Sequence, residues 1–252
     1  MKQPKEITEF AREVHDRIDA NGQNKTLLES AGTFMKASTT PKYSYNFTWL
    51  GRPIIQYPQD IVAMQELIWS IQPDLIIETG IAHGGSLIFL ASMLELNAAC
   101  GGPSNASVLG IDIDIRPYNR AEIESHSMFK RIFMIQGSST DPNVIEQVRI
   151  EAEGKQRVLV CLDSNHTHDH VLAELQMYAP LVSVGSYCVI FDTIIEDLPS
   201  DMFQDRPWSP GNNPKTAVWE YLRSHQEFVI DKSIQHKLLI TVAPDGYLKR
   251  IS

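Results

Sequence analysis

The chain has 252 residues, 43% of them apolar, so it can bury a full core and fits one domain with an appendage. Its formal net charge is −9 and its lysines and arginines are scattered, which argues against a nucleic-acid or anionic-membrane partner. No apolar run approaches the roughly 18 residues of a membrane span, and the charged N-terminus does not look like a signal peptide.

The segment before residue 74 contains two predicted helices, at 5–19 and 58–71, on either side of an aromatic and proline-rich stretch. That stretch, TTPKYSYNFTWLGRPIIQYP, does not have the composition of a low-complexity linker. We predict that residues 1–72 form an appendage that covers the substrate side or makes the contact of a homo-oligomer.

From residue 74 onward, short β-branched runs alternate with helical stretches. The predicted strands are 74–79, 107–113, 131–136, 157–163 and 187–192, and the predicted helices are 85–96, about 118–127, 142–152 and 168–179. Strand–helix alternation with apolar strands indicates a parallel sheet covered by helices. We therefore predict an α/β domain over residues 73–252, with five parallel strands and helices on both faces.

The C-terminal part departs from this alternation. The predicted strands 227–231 and 237–243 are only five residues apart, which is too short for a helical crossover. We expect them to form an antiparallel closing pair. The segment 198–216 also falls outside the alternation, and we expect it to be an insertion on the substrate side.

The first predicted parallel strand runs directly into IIETGIAHGGS, residues 76–86. Ligands of open α/β sheets bind beyond the carboxyl ends of the strands, and glycines let a ligand approach the backbone closely. The spacing departs from the GxGxxG of dinucleotide sites, and Glu78 would repel a pyrophosphate but attract a cation. The pattern E-x-G-x-A-x-G resembles the first motif of class I S-adenosylmethionine-dependent methyltransferases, whose cofactor carries a sulfonium and an ammonium.

Two later strand ends suit the same cofactor. Asp112 ends the second strand, where an acid can accept both ribose hydroxyls, and it can equally be an ordinary turn residue. The run QGSSTDP, residues 136–142, suits an adenine edge, although it is also a plain helix N-cap. The predicted cofactor contacts are Glu78, Gly80, Ala82, Gly85, Ser86, Asp112 and Ser138.

Asp163 and Asp192 end the fourth and fifth predicted strands. Carboxylates at the tips of adjacent parallel strands should converge, and paired carboxylates share either a proton or a cation. Hard oxygen ligands with room for water suit Mg²⁺, so we predict a divalent metal on these two residues. The alternative for both is helix capping.

Histidines follow Asp163 in the stretch VCLDSNHTHDHV, residues 160–171. The ligand patterns of zinc enzymes and of iron oxygenases are both absent. His166 lies in the turn itself, and a neutral imidazole there can take a proton from a substrate hydroxyl. His168 is the reserve candidate, and helical packing or solvent exposure is the alternative for His168 and His170.

Several motifs together resemble those of the cephalosporin hydroxylase family, across roughly residues 40 to 250. They are DLIIETGIAHGGSLIFLASML, GIDIDIRPYNR, IQGSSTDP, VCLDSNHTHDHV and PGNNPKTAVWEYL. Despite its name, that family has the class I methyltransferase fold. Its named member is linked to methoxylation of an antibiotic, and its relatives include sugar O-methyltransferases.

The resemblance implies S-adenosylmethionine bound by the loop 78–86 and Asp112, and a metal held by the acids after strands four and five. Asp163 matches the first metal acid. The family carries an acidic pair after strand five, whereas this chain has Phe191 and Asp192, so only Asp192 carries over. Thr193, Glu196 or Asp197 could supply a substitute oxygen. The name hydroxylase does not transfer, because this chain shows no oxygenase ligand set.

These observations predict a Rossmann-like class I methyltransferase that transfers a methyl group from S-adenosylmethionine to a sugar, glycan or glycosylated small molecule. Metal assistance favours a hydroxyl acceptor with a neighbouring hydroxyl. The predicted catalytic residues are Asp163, His166 and His168. The alternatives are a nicotinamide-dependent oxidoreductase, which Glu78 disfavours, and a nucleotide-binding scaffold, which would not need Asp163, His166 and Asp192.

The three cysteines, Cys100, Cys161 and Cys188, are widely spaced, and two lie in apolar segments. This arrangement is typical of neither a disulfide framework nor a CxxC zinc site. We predict three free thiols and a cytoplasmic protein.

Overall fold

The computed structural model describes residues 4–252 and is built on one seven-stranded sheet. The strands of this sheet are β3 (Leu75–Thr79), β4 (Ser107–Asp112), β5 (Ile132–Gln136), β6 (Val158–Leu162), β7 (Tyr187–Ile190), β8 (Phe228–Ile230) and β9 (Tyr247–Arg250). Their spatial order is β5-β4-β3-β6-β7-β9-β8. The first five are parallel, whereas β9 runs antiparallel to both β7 and β8.

Helices cover both faces of the sheet, as predicted. They are α1 (Lys5–Gln23), α2 (Lys25–Thr39), α3 (Pro58–Ile71), α4 (Gly85–Ala99), α5 (Pro117–Glu124), α6 (Pro142–Ala152), α7 (His168–Tyr178), α8 (Pro214–Tyr221) and α9 (Lys232–Leu238). Within β3, Ile76 packs toward α3 and α4, whereas Leu75 and Ile77 pack toward α6, α7 and α8. Successive side chains of a strand point to opposite faces, and helices cover both faces of this sheet. Every residue of β3 is therefore buried.

The prediction of five parallel strands and an antiparallel closing pair is confirmed, but the position of the last strand was wrong. Residues 237–243 do not form a strand. The helix α9 begins at Lys232, capped by the Asp231 carboxylate, and the last strand is β9. The apolar run after α9 instead packs at the carboxyl edge of the sheet, where Thr241 and the Val242 amide donate to the carboxylate of Asp60.

The region before β3 is only partly an appendage in its packing. The helix α1 buries none of its side chains, and α2, which the sequence did not predict, buries Ala31 and Met35. A small antiparallel hairpin follows, formed by β1 (Phe47–Trp49) and β2 (Arg52–Ile54). In contrast, α3 contributes Met64 and Ile68 to the main core. The boundary at residue 72 stays a prediction.

Two further sequence-based expectations concern the chain as a whole. Cys100, Cys161 and Cys188 are all free thiols, as predicted. Among residues 4–252, no helix combines the length and the hydropathy needed to cross a membrane.

Candidate active site

A cleft of about 620 Å³ lies at the carboxyl edge of the sheet, in the size range of small-molecule sites. Its floor is formed by the loop between β3 and α4 and by the ends of β4, β6 and β7. Its walls come from the end of α2 and the residues that follow, and from the segment 194–208. The cleft therefore lies where the parallel strands point, as the topology requires.

The loop between β3 and α4 needs glycine at its first turn. Gly80 has a φ of +91°, and a Cβ atom there would lie 2.1 Å from the carbonyl oxygen of Asp163. The ends of β3 and β6 approach each other at this point, so no side chain fits. Ala82 also has a positive φ, of 46°, which shows how tightly the loop turns.

Asp112 holds this loop through backbone hydrogen bonds. Its Oδ2 accepts from the amides of Ile81 and Ala82, at 2.8 Å and 3.2 Å, and its Oδ1 accepts from the amide of Asp114. Each carboxylate oxygen can accept a second hydrogen bond, and Asp112 also lines the cleft. The position therefore suits both a structural role and a ligand contact.

Two residues that the sequence reading missed hold the same loop from its other side. Arg52 donates to the carbonyl of His83 at 2.7 Å, and to the side-chain oxygen of Asn119 at 3.1 Å. Asn119 in turn donates to the carbonyl of Ala82. Nothing local marks these residues, because Arg52 lies in the hairpin and Asn119 in α5, far from the loop in sequence.

Glu78 lies beneath the loop and is almost completely buried, at 2% exposure. Its carboxylate accepts a hydrogen bond from the Ser86 hydroxyl at 2.9 Å. Burial, opposed by the Ser86 hydrogen bond and assisted by the charge of Asp112, raises the pKa of Glu78 to about 8. A cation bound nearby would favour the ionised form of this carboxyl.

Three other predicted or neighbouring residues have different positions. A Cβ atom added at residue 85 would collide with the carbonyl of Pro53, so this glycine lets β2 approach α4 closely. Ser138 does not line the cleft, and its hydroxyl pairs with that of Thr140. Gln56 was missed by the sequence reading. It lines the cleft at 5% exposure, and its side-chain oxygen has no hydrogen-bond partner among residues 4–252.

The structure brings Asp163, His166 and Asp192 together at the floor of the cleft. One ligand atom from each lies within 4.8 Å of the others, and His166 Nδ1 is 3.1 Å from Asp192 Oδ2. Burial, followed by the charge of Asp192, raises the pKa of Asp163 well above its usual range. The two carboxylates are oxygen donors that fit Mg²⁺ or a similar divalent cation, and the imidazole of His166 lies beside them.

The alternative oxygen ligands after β7 point elsewhere. Thr193 donates to the carbonyl of Pro244. Glu196 accepts from the Gly211 amide and the Asn213 side chain, and Asp197 pairs with Lys215. Asp192 is therefore the only one of these acids that the structure places in the cluster.

The three histidines that follow β6 have different surroundings: His166 lies in the loop, whereas His168 and His170 lie in the first turn of α7. His166 lines the cleft, and its ring lies 4.7 Å from that of Trp208. His168 faces α8, where Nδ1 is 2.8 Å from the Thr216 hydroxyl and Nε2 is 3.2 Å from Glu220. His170 Nε2 contacts the hydroxyls of two serines, Ser139 and Ser164. Only His166 joins the carboxylates.

The aromatic residues of the predicted appendage divide in the same way. Tyr43 packs against other aromatic rings, and Trp49 packs on Phe89 and donates to Ser92. Tyr45 instead lines the cleft, and so does Trp208 of the segment 198–216.

The strand order, the glycine loop after β3 and the acid at the end of β4 are those of the class I methyltransferase fold. A protein-family model described as Rhamnosyl O-methyltransferase/CmcI matches residues 41–251, so the chain belongs to that family. Cephalosporin hydroxylase is an older name for the same family, so the resemblance seen in the sequence is confirmed at the level of the family.

Individual relatives agree with this assignment. A Rhamnosyl O-methyltransferase of Mycobacterium tuberculosis strain H37Rv is 30% identical over 210 residues, which is 81% of this chain and 78% of that protein. An apo structure of CmcI has a TM-score of 0.60 at 20% identity, covering 82% and 77% of the two chains. A CmcI structure described as Mg-SAM has a TM-score of 0.57 at 18% identity, covering 82% and 78%. The two structures confirm the fold.

The family decides among the three classes that the sequence left open. The chain is an S-adenosylmethionine-dependent O-methyltransferase, as predicted. The nicotinamide oxidoreductase and the non-catalytic scaffold are set aside.

Proposed function

We propose that this chain methylates a hydroxyl of a sugar, within a glycan or a glycosylated small molecule, with the assistance of a divalent metal. The observation that carries the proposal is the convergence of Asp163, His166 and Asp192 beside the glycine loop. The Rhamnosyl O-methyltransferases among its relatives make a rhamnosyl hydroxyl the first acceptor to test.

The cofactor site consists of the predicted contacts Glu78, Gly80, Ala82, Gly85, Ser86, Asp112 and Ser138. The bound cofactor supplies the methyl group from a sulfonium. Asp112 places a carboxylate against the loop, and the buried carboxyl of Glu78 becomes ionised more readily when a cation lies nearby, so the site favours a cationic ligand over a pyrophosphate. The Gly80 turn leaves the backbone open to that ligand. Ser138 has the weakest support, because it lies outside the cleft lining and its hydroxyl pairs with that of Thr140, whereas Glu78, which also lies outside the lining, contacts Ser86 of the loop.

The metal site consists of Asp163 and Asp192, and the donor set described above fits Mg²⁺. A divalent cation bound there lowers the pKa of a hydroxyl that contacts it. The two carboxylates would orient the acceptor by fixing the position of that cation. A vicinal diol, as in a sugar, offers two oxygens to such a site, whereas a simple amine does not.

His166 is the proposed acceptor of the hydroxyl proton. Its Nδ1 faces the Asp192 carboxylate, which holds the ring, and within residues 4–252 its Nε2 forms no hydrogen bond. The Trp208 ring packs against the imidazole and limits its rotation. Tyr45 and Trp208 offer aromatic faces to the acceptor sugar or to its aglycone.

Methyl transfer to phenyl α-L-rhamnoside, measured with and without Mg²⁺, tests the proposed function. We expect turnover that EDTA abolishes and that added Mg²⁺ restores, together with calorimetric binding of S-adenosylhomocysteine. Turnover that survives EDTA unchanged would contradict the metal-assisted route. Tight binding of NAD without binding of S-adenosylhomocysteine would contradict the cofactor.

Two matched alanine variants test the proton acceptor. We expect His166→Ala to lower the turnover number by about 10²–10⁴-fold with little change in cofactor affinity. We expect His168→Ala to lower it less than about tenfold, because both ring nitrogens of His168 already contact α8. If neither variant slows transfer more than a few-fold, a carboxylate or a water takes the proton instead.

The predictions of a homo-oligomer and of a cytoplasmic location belong to the same proposal. The free thiols support a reducing compartment. Light scattering coupled to size-exclusion chromatography tests the oligomer, and a monomer at micromolar concentration would contradict it.

A further inference from the structure

The acceptor half of the cleft has a charge opposite to that of the molecule. Its lining comes from residues 35–45 and 194–208, and the only charged side chains in that lining are Lys42 and Arg206. The acids that line the cleft, Asp112, Asp163 and Asp192, all belong to the cofactor and metal half. Glu196, Asp197, Asp201 and Asp205 belong to the same segment but do not line the cleft, so in a chain of net charge −9 a cleft lining with two cations and no acid is a distinct feature.

Neither of these cations forms an ion pair with any residue in the described range 4–252. Lys42 Nζ lies 5.4 Å from the centre of the Tyr45 ring, and Arg206 Cζ lies 5.4 Å from the centre of the Trp208 ring. By contrast, Lys215, close to the same segment, pairs with Asp197. The two cleft cations are therefore exposed on aromatic surfaces, with their charge available to a ligand.

The position of Arg206 links this charge to the reacting end of the cleft. Trp208 separates Arg206 from His166, since its ring contacts both side chains. An acceptor whose hydroxyl lies beside His166 and whose body follows Trp208 extends toward Arg206. Lys42 comes from a different segment, the turn after α2, so two separate parts of the chain bring a cation to the same half of the cleft.

We propose that the acceptor carries an anionic group beside the sugar that is methylated, and that Lys42 and Arg206 bind this group. The inference rests on the proposed function and narrows its substrate class. Arginine pairs with a carboxylate or a phosphate through two parallel hydrogen bonds, and lysine adds a point charge. The group is therefore the diphosphate of a nucleotide-linked sugar or a carboxylate on an aglycone.

Three acceptors distinguish these sources at saturating S-adenosylmethionine and Mg²⁺. They are phenyl α-L-rhamnoside, which is neutral, 4-carboxyphenyl α-L-rhamnoside and thymidine diphosphate rhamnose. We expect kcat/KM for one of the anionic acceptors to exceed that for the neutral one by about tenfold or more. The preferred anion identifies the source. The preference should shrink as ionic strength rises, because salt screens partly exposed charges.

Variants assign the preference to the two residues. The preference is the ratio of kcat/KM for the anionic acceptor to that for the neutral acceptor. We expect Arg206→Gln and Lys42→Gln each to lower this ratio several-fold, and the double variant to bring it close to one. Lys36→Gln is the matched control, because Lys36 is an exposed cation of α2 outside the cleft lining, and it should leave the preference intact. The affinity for S-adenosylmethionine is measured in every variant.

The inference is overturned if the neutral acceptor is used as well as both anions, or if the preference survives the double variant. It is also overturned if Lys42→Gln or Arg206→Gln weakens cofactor binding instead, since the cations would then serve the cofactor. If no acceptor is methylated, the rhamnosyl proposal fails separately. Calorimetric binding of the same three compounds to the S-adenosylhomocysteine complex, in wild type and variants, then decides the inference.

Discussion

Asp112, Asp163 and Asp192 line the cleft, and Glu78 lies buried beneath its glycine loop, so four carboxyl groups are gathered at this edge of the sheet. Burial and their mutual repulsion raise the pKa values of Glu78 and Asp163, which means that the ionised groups destabilise the protein while no cation is bound. A metal and a cationic cofactor both relieve this repulsion. Binding of either ligand should therefore raise the free energy of unfolding.

Asp163→Asn should lower the turnover number by at least about 10²-fold. It should also remove the rise in melting temperature that Mg²⁺ produces in the wild type. In EDTA the same variant should melt at a higher temperature than wild type, because a carboxyl whose pKa rises on folding costs stability at neutral pH and asparagine does not ionise. Asp169→Asn is the control, since Asp169 is an exposed acid in the first turn of α7. Scanning calorimetry and a methyl-transfer assay are the measurements. Mg²⁺-dependent turnover by Asp163→Asn would rule out the proposed metal site.

Glu78→Gln should stabilise the cofactor-free protein at neutral pH. A pKa raised from 4.5 to about 8 on folding gives stability that is fully present below pH 4.5 and is lost as the pH rises to about 8. Glutamine does not ionise and avoids this loss. We expect a gain of about 3 kcal/mol at pH 7 and almost none at pH 4. Urea titrations at both values measure it, and an equal gain at both would show that the effect is not due to ionisation.

Among the elements, the loop between β3 and α4 is held from several sides. Its first turn touches the end of β6 at Asp163, Asp112 at the end of β4 binds its amides, and Arg52 of β2 binds its carbonyl. Each of these contacts comes from a different element. The loop is therefore shaped before a ligand arrives, which lowers the entropic cost of binding.

Gly80→Ala and Gly101→Ala separate the strain of a positive φ from a collision. Their φ angles are nearly equal, at +91° and +92°, but a Cβ at residue 101 meets nothing within 4 Å, whereas one at residue 80 meets the carbonyl of Asp163. We expect Gly101→Ala to cost about 1–2 kcal/mol of stability. Gly80→Ala should cost about 2 kcal/mol more and weaken S-adenosylhomocysteine binding. Equal melting temperatures for the two variants would mean that the loop tolerates a side chain.

For the molecule as a whole, the packing of α1 and α3 indicates where the independent folding unit begins. The helix α1 buries no side chain, whereas α3 places Ala63, Met64, Leu67 and Ile68 against the main core. Removing α3 exposes the opposite side of that core, at a cost of about 1.5–3 kcal/mol for each large apolar side chain. Net stabilities of about 5–15 kcal/mol do not tolerate several such losses.

Two truncations test where the folding unit begins. Removal of residues 1–23 should leave a cooperative thermal transition and intact cofactor binding. Removal of residues 1–72 should give a chain without a cooperative transition, because the core face against α3 is left uncovered. Circular dichroism melts and calorimetry are the measurements. Cooperative unfolding of the fragment 73–252 would establish residue 72 as a true domain boundary.

Local patterns in the sequence determined the framework of the fold. Buried strands and amphipathic helices are encoded in short windows, so the five parallel strands and the helix 58–71 were predicted closely. The candidate cluster also followed from topology, since parallel strands carry their carboxyl ends to one edge. That rule predicted that Asp163 and Asp192 would meet, and the structure brings them together.

Tertiary structure decided what depends on partners far away in the chain. The apolar run 237–243 has the pattern of a strand, but the free edge of β7 pairs with β9 instead, and the run packs near Asp60. His166 and His168 are two residues apart, and from the sequence His166 is the first candidate and His168 the reserve. Which of them enters the cleft depends on the direction of each side chain relative to α8. Arg52, Asn119 and Gln56 carry no local signal at all, because contacts between distant elements define their roles.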